Sequence, residues 1–356
     1  MITSFSRRLD LQIPLVQAPM AGVSTAALAA AVSGAGGLGS IAVGALTPEA
    51  ADRAIAEAMQ AAPGPLNVNV FAHPRPRRDR DREAAWLRTL APAFAECGAS
   101  PPPALEEIYR PFDDQPAMLE VLLAHQPAVV SFHFGVPAVP ALQALKRYGA
   151  CLMATATSVA EAREIEAAGF DVVIAQGYEA GGHRGSFHRG LDERLSTLTL
   201  LPRVAAAVSI PVVAAGGISS GQDVAMALAS GADGVQMGTA FIGCTESAAN
   251  SAYRQALQSP NMSTVMTALF SGRPARAIVN RFVRTYGHAE SQAPAYPVAY
   301  DAAKRLAAAA PSEMGEMGAG DFAAMWAGQG KIRHQGLAAA SLMHLLRQEL
   351  QAAAAS

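Results

Sequence analysis

Between Ile13 and about Gln258 the chain alternates eight times between short, nearly continuous apolar runs and Ala-, Leu- and Glu-rich stretches. The runs are PLVQAPM (14–20), GLGSIAV (37–43), LNVNVF (66–71), AVVSFHF (128–134), CLMATAT (151–157), DVVIAQG (171–177), PVVAAGG (211–217) and GVQMGTAF (234–241). Runs of this kind belong to strands buried on both faces, and their alternation with helices predicts βα units around a parallel sheet. Several intervening stretches, such as SVAEAREIEAAG and SGQDVAMALASG, open with Ser and close with Gly, as capped helices do. Eight strands and eight helices favour an α/β fold closed into a (β/α)8 barrel over residues 1–258, rather than an open doubly wound sheet.

Two regions stand outside the repeat. Residues 72–115 form an insertion after the third strand, and its basic run HPRPRRDRDRE reads as solvated surface. Residues 259–356 form a mostly helical C-terminal extension that ends in the amphipathic stretch LAAASLMHLLRQELQAAAA.

A formal charge of −2 provides no field that would concentrate nucleic acid or an anionic membrane, so small molecules are the expected partners. Cys97, Cys151 and Cys244 form no CxxC pair, so neither a disulfide framework nor a thiolate metal site is expected, and a reducing cytoplasm fits. No apolar run reaches the length of a membrane span, and the first twenty residues lack the apolar centre of an export signal. Monomer and homodimer are both left open.

Reactive groups in such a barrel sit at the C-terminal tips of the strands. The first tip carries Ala18, Pro19 and Met20, whose exposed backbone suits a planar ring; the third strand carries Asn67 and Asn69, and the fourth His133. Buried amides need a partner, from the protein or from a ligand. The strongest local signal is AQGYEAGGHRGSF (175–187), where a buried strand runs into glycines around His183. Its loop reads as mobile, leaving the imidazole little company except a ligand. AAGGIS (214–219) and QMGTAF (236–241) follow, placing Gly216, Gly217, Gly238 and Thr239 where the seventh and eighth loops of a barrel cradle phosphate.

QAPMAG, NVNVF, FHFG, AQGYEAGGHRG, PVVAAGGI and VQMGTAF, in this order, together with SGRPAR (271–276), YPVAYDAAK (296–304) and FAAMWAGQG (322–330), resemble the nitronate monooxygenase family, once called 2-nitropropane dioxygenases, in its bacterial branch. The resemblance spans essentially the whole chain. It implies noncovalent FMN, with Met20 and its neighbours beside the flavin ring, Asn69 and Gln176 on the ring or ribityl chain, and Gly181, Gly216, Gly217, Gln236, Gly238 and Thr239 around the phosphate. It further implies His183 as the catalytic histidine. His133, Tyr109, Tyr253, Tyr296, Tyr300 and Lys304 would line the substrate side, facing a small nitronate and O2. Two other functions compete: an NAD(P)H-dependent FMN reductase of the enoyl-acyl-carrier-protein reductase type, and a noncatalytic flavin- or phosphate-binding module.

Overall fold

The structure, a computed structural model, describes residues 2–187, 192–310, 320–330 and 332–355. Eight parallel strands follow the sequence repeat: β1 (Leu15–Gln17), β2 (Gly39–Ala42), β3 (Leu66–Phe71), β4 (Val129–His133), β5 (Cys151–Ala156), β6 (Val172–Gln176), β7 (Val212–Ala215) and β8 (Gly234–Met237). Each pairs with the next from β2 to β8, and β8 pairs with β1. The ring closes at a Val16–Leu38 bridge between β1 and β2. This seam is short, and a side chain reinforces it: Gln17 Oε1 accepts the Ser40 N–H at 2.9 Å, while its Nε2 donates to Ser24 Oγ at 2.9 Å.

The period of two along each strand divides the barrel into an inside and an outside. Val130, Leu152, Val173 and Val212 face outward, in the core shared with the surrounding helices. Their neighbours Val129, Cys151, Met153, Val172 and Val213 form a separate interior cluster. Two residues further along, the same inward row turns polar: Ser131 and His133 on β4, Thr155 on β5, Gln176 on β6 and Gln236 on β8. The barrel is therefore apolar at the bottom and polar at the top. Phe5, on the helix Ser4–Arg8, is fully buried in the interior cluster and stops the lower end.

The insertion and the extension share a second core. Trp86, Leu90 and Phe94, on the insertion helix Arg80–Glu96, pack with Phe270, Phe282, Val298 and Phe322 of the extension. The basic run is largely exposed, as a solvated surface should be, yet its arginines make local pairs within the insertion and one tie to the extension. Arg75 pairs with Asp114 and Arg78 with Glu83, and Arg82 donates to the carbonyls of Ser291, Gln292 and Ala293. The extension is mostly helical, with one strand pair the repeat did not announce: β9 (Thr264–Thr267) lies antiparallel to β10 (Ala275–Ile278). The last helix, Ala339–Ala355, packs on helix Gly221–Ala229, where Glu349 accepts the Gly221 N–H at 2.7 Å. Among the described residues no helix is long and apolar enough to cross a membrane.

Because Phe5 is, among the described residues, the only aromatic group in the barrel's interior cluster, Phe5→Ala should open a cavity and destabilise the fold by about 3–5 kcal/mol. Urea unfolding checks this as a lower midpoint at an unchanged slope.

Candidate active site

At the polar end of the barrel lies a cavity of about 510 Å³, bordered by every site residue named from the sequence except Asn67, whose Nδ2 donates to Ser40 Oγ at 3.0 Å, away from it. Ala18, Pro19 and Met20 line it from the β1 tip, Asn69 from β3, His133 from β4 and Gln176 from β6. Gly216 and Gly217 follow β7, and Gln236, Gly238 and Thr239 belong to β8 and the turn after it. Gly181 and His183 come from the loop after β6. Tyr109 comes from the insertion, and Tyr253, Tyr296, Tyr300 and Lys304 from the chain beyond β8.

The glycines shape one end of the cavity. Gly216 and Gly217 have φ of +116° and +73°, a region that side chains resist. A Cβ on Gly216 would also stand 2.9 Å from Thr197 Oγ1 and 3.0 Å from the Ala180 N. A strap from the extension crosses this end. The Gly328 N–H donates to Thr239 Oγ1 at 2.9 Å and the Gln329 N–H to the Glu179 carbonyl at 3.0 Å. Gly181 and Gly328 touch so closely that a Cβ on Gly181 would lie 2.5 Å from the Gly328 N.

The loop carrying His183 is not the mobile element read from its glycines. Gly182 and His183 pair antiparallel with Arg276 and Ala275 of β10. Gln176 Nε2 donates to the His183 carbonyl at 3.0 Å, and Gln176 Oε1 accepts the Gly185 N–H at 2.9 Å. His133 reinforces the loop. Its Nε2 must donate to the His183 carbonyl (3.1 Å), so its Nδ1 accepts from Thr155 Oγ1 (3.1 Å). Gln176 and His133 thus border the cavity while their polar atoms hold the loop. Asn69 is tied similarly, donating through Nδ2 to the Ser131 carbonyl and hydroxyl. Gln236 differs: its Oε1 is buried without a hydrogen-bond partner among the described residues.

Nor is His183 left to a ligand's company. Its ring lies among Phe134, Tyr296, Tyr300 and Trp326, with centroid distances of 5.6, 5.4, 6.1 and 4.9 Å. Three of these four rings, and the hydroxyl that holds the imidazole, belong to the extension, which local sequence around residue 183 cannot reveal. Ser271 Oγ donates to the Arg273 carbonyl at 3.1 Å, which can only accept, so the His183 Nε2 donates to Ser271 Oγ at 2.8 Å. The proton therefore sits on Nε2 and the lone pair on Nδ1.

Burial, then the charges of His133, Arg273 and His73, hold the His183 imidazole well below its usual range. Burial pushes His133 down to about 4, with Arg273 and Arg184 adding to it. Both rings are neutral at neutral pH. Phe134, at the β4 tip, has φ of +81°, strained for a bulky residue by roughly 1–3 kcal/mol. Its ring stacks on the buried Arg273 guanidinium, 4.2 Å from the ring centroid. At the rim, the Lys304 ammonium lies 5.0 Å from the Tyr109 centroid and 5.4 Å from that of Tyr300.

The sequence reading missed Ser131, Thr155, Phe134, Ser271, Trp326 and Gly328. The first two were recoverable, because they continue the inward row that already contains Asn69 and His133. The others lie in the strings FHFG, SGRPAR and FAAMWAGQG that carry the resemblance, but nothing local gives them a role.

Fold and site define a (β/α)8-barrel enzyme with a histidine-centred small-molecule cavity. The family model described as nitronate monooxygenase matches residues 4–349. The chain is 48% identical to a nitronate monooxygenase of Pseudomonas aeruginosa, over 99% of this chain and 100% of the relative. It is 47% identical to one of Paraburkholderia phytofirmans, over 96% and 93%. Among solved structures it resembles a nitroalkane oxidase from Streptomyces ansochromogenes (TM-score 0.88, 40% identity, 99% of both chains). FabK from Thermotoga maritima is more distant (TM-score 0.75, 27% identity, 100% of this chain and 98% of that one). The protein belongs to the nitronate monooxygenase family, oxidoreductases acting on nitroalkane-type substrates.

Burial of neutral imidazole has a consequence for stability. An unfolded His133 takes up its proton near the ordinary 6.5, and the folded one only near 4. Between these values the unfolded chain binds more protons, so stability is full above the upper value and is lost as pH falls towards the lower one; His183 acts with the same sign. Urea unfolding across this window should show that loss, and His133→Gln should flatten it.

Proposed function

We propose that this protein is an FMN-dependent nitronate monooxygenase that uses O2 to convert small alkyl nitronates, propionate 3-nitronate among them, to a carbonyl product and nitrite. One observation carries the reading: a single cavity joins glycine-bordered strand tips to a neutral, buried histidine and a lysine-tyrosine rim. We place the enzyme in the cytoplasm and leave monomer and homodimer open.

The residues fit a flavin mononucleotide. The volume of about 510 Å³ suits one cofactor with a small substrate. Gly216 and Gly217, with Gly181, Gly238 and Thr239, would present backbone to the phosphate where a side chain would intrude. The unpartnered Gln236 Oε1 is an acceptor awaiting a donor. Ala18, Pro19 and Met20 would lie beside the ring, with Asn69 and Gln176 at its polar edge. Bound there, the flavin would supply electron transfer between substrate and O2.

The chain's own part is binding and proton handling. A nitronate is an anion with two acceptor oxygens, so it needs donors and positive charge. The Arg273 guanidinium beneath Phe134 provides charge, and Tyr109, Tyr296 and Tyr300 line the substrate side. Tyr253 is different: its hydroxyl donates to the Trp326 carbonyl, leaving only acceptor capacity toward the cavity. Lys304, at the rim, is placed for a carboxylate at the far end of the substrate. His183 Nδ1 can take the α-proton of a neutral nitroalkane, a step an ionised nitronate does not require. Phe134, Tyr296, Tyr300 and Trp326 would give the reacting end an apolar wall. The 48% identity to a nitronate monooxygenase, against 27% to FabK, favours this reading over the NAD(P)H-dependent reductase.

The purified protein should be yellow, show a flavin absorption spectrum, and consume O2 and release nitrite with propionate 3-nitronate; a colourless protein that refuses added FMN defeats the proposal. His183→Asn, assayed at matched flavin content, should lower kcat/KM for neutral nitroethane by about 10²- to 10⁴-fold, and far less for ethyl nitronate. A noncatalytic module would lose nothing on this change.

A further inference from the structure

A single hydrogen bond fixes one point of a ring and leaves it free to swing about that point. The described structure ties the His183 imidazole to a side chain only through Nε2, at Ser271. The direction of the Nδ1 lone pair must then be set by what the ring packs against. Trp326 has the closest ring, 4.9 Å between centroids at an interplanar angle of 53°.

Trp326 is itself held from several sides. Its backbone bridges to Ala277, the neighbour of Arg276 in β10, and its carbonyl accepts the Tyr253 hydroxyl. Two residues on, the Gly328 N–H is fixed to Thr239 Oγ1. The indole also meets Phe270 at 5.6 Å, from the second core, and Tyr300 at 6.1 Å, from the cavity wall. A large side chain so fixed makes a rigid surface for its neighbour.

We propose that Trp326 is a positioning residue for His183, aiming Nδ1 at the α-carbon of a neutral nitroalkane. This inference rests on the reading of His183 as the base given above. In the step concerned the substrate's α-C–H bond breaks, the proton passes to Nδ1, and the electron pair stays with the substrate as the nitronate. No oxidant is needed for this step. A nitronate supplied already ionised bypasses it, so Trp326 matters chiefly to the neutral substrate.

The test compares Trp326→Leu and Trp326→Phe with the wild type, all as flavin-loaded enzyme of measured flavin content. Two activities are followed, aerobic turnover of nitroethane and of ethyl nitronate, along with anaerobic loss of deuterium from [1,1-²H₂]nitroethane into water. For Trp326→Leu the ratio of kcat/KM for nitroethane to that for ethyl nitronate should fall about 10- to 100-fold, the scale expected of a misplaced base. Deuterium loss should slow in step, and Trp326→Phe should restore most of both. An equal loss on the two substrates overturns the proposal, since that marks a merely structural role; so does an unchanged ratio, or a wild type that removes no α-deuterium. A wild type inactive on ethyl nitronate as well would instead defeat the nitronate monooxygenase reading itself.

Discussion

Buried guanidinium groups hold the loop after β6, and the site depends on that clamp. Arg184, paired with Asp192 at 2.8 Å, also donates to the carbonyls of Gln176 and Gly177. Arg276 donates to the Tyr178 carbonyl, and Arg273 to those of Arg184 and Ser186. A charge taken out of water is costly unless nearby dipoles replace its hydration, and a loop with its carbonyls turned inward provides them. Cations and loop therefore require each other. Two of the three arginines lie in the extension, so the histidine is presented only when residues beyond the barrel have folded against it.

The same clamp sets the electrostatics of the cavity. Positive charge beneath Phe134 disfavours a second positive charge on His133 or His183, and burial acts in the same direction. Two neutral imidazoles beside fixed guanidinium charge make a site that favours anions and keeps a lone pair available at neutral pH. The strain at Phe134 belongs here as well: the positive φ turns its ring back over the barrel mouth, where it separates Arg273 from the open cavity. A guanidinium so covered contributes its field and not its hydrogen bonds.

The barrel was legible because its strands are buried on both faces and punctuated by capping residues, both local properties. The strand tips were legible for the same reason: glycine pairs after β7, and amides in the otherwise apolar β3, mark the polar end of an alternating row. What surrounds His183 was not legible locally: Tyr296 and Tyr300 were named only through the family resemblance, and Ser271 and Trp326 were given no role. Ser271, Tyr296, Tyr300 and Trp326 lie some 90 to 140 positions away, and no periodicity around residue 183 reports which remote segment will fold over it. The glycines of that loop misled for a physical reason. Gly182 does adopt a positive φ, but Gly181 is small because the strap at Gly328 lies against it, a packing requirement that reads in sequence like flexibility.

Work in the cavity is divided by origin. The barrel supplies backbone and amides on strands fixed by a parallel ladder, with few degrees of freedom. The extension supplies rings, the rim lysine and the hydroxyl that orients the imidazole, on segments packed against an insertion with a core of its own. Beside His183 three of their contacts are made by backbone: the pairing of Gly182 and His183 with β10, the contact of Gly181 with Gly328, and the bond from Gly328 to Thr239. Glycine stands on at least one side of each. A side chain at Gly181 would push the strap away, moving Trp326 from His183 without touching either ring. The smallest residues in the loop thus control how the largest ones meet, and alignment of base and substrate is set by backbone approach as much as by any catalytic side chain.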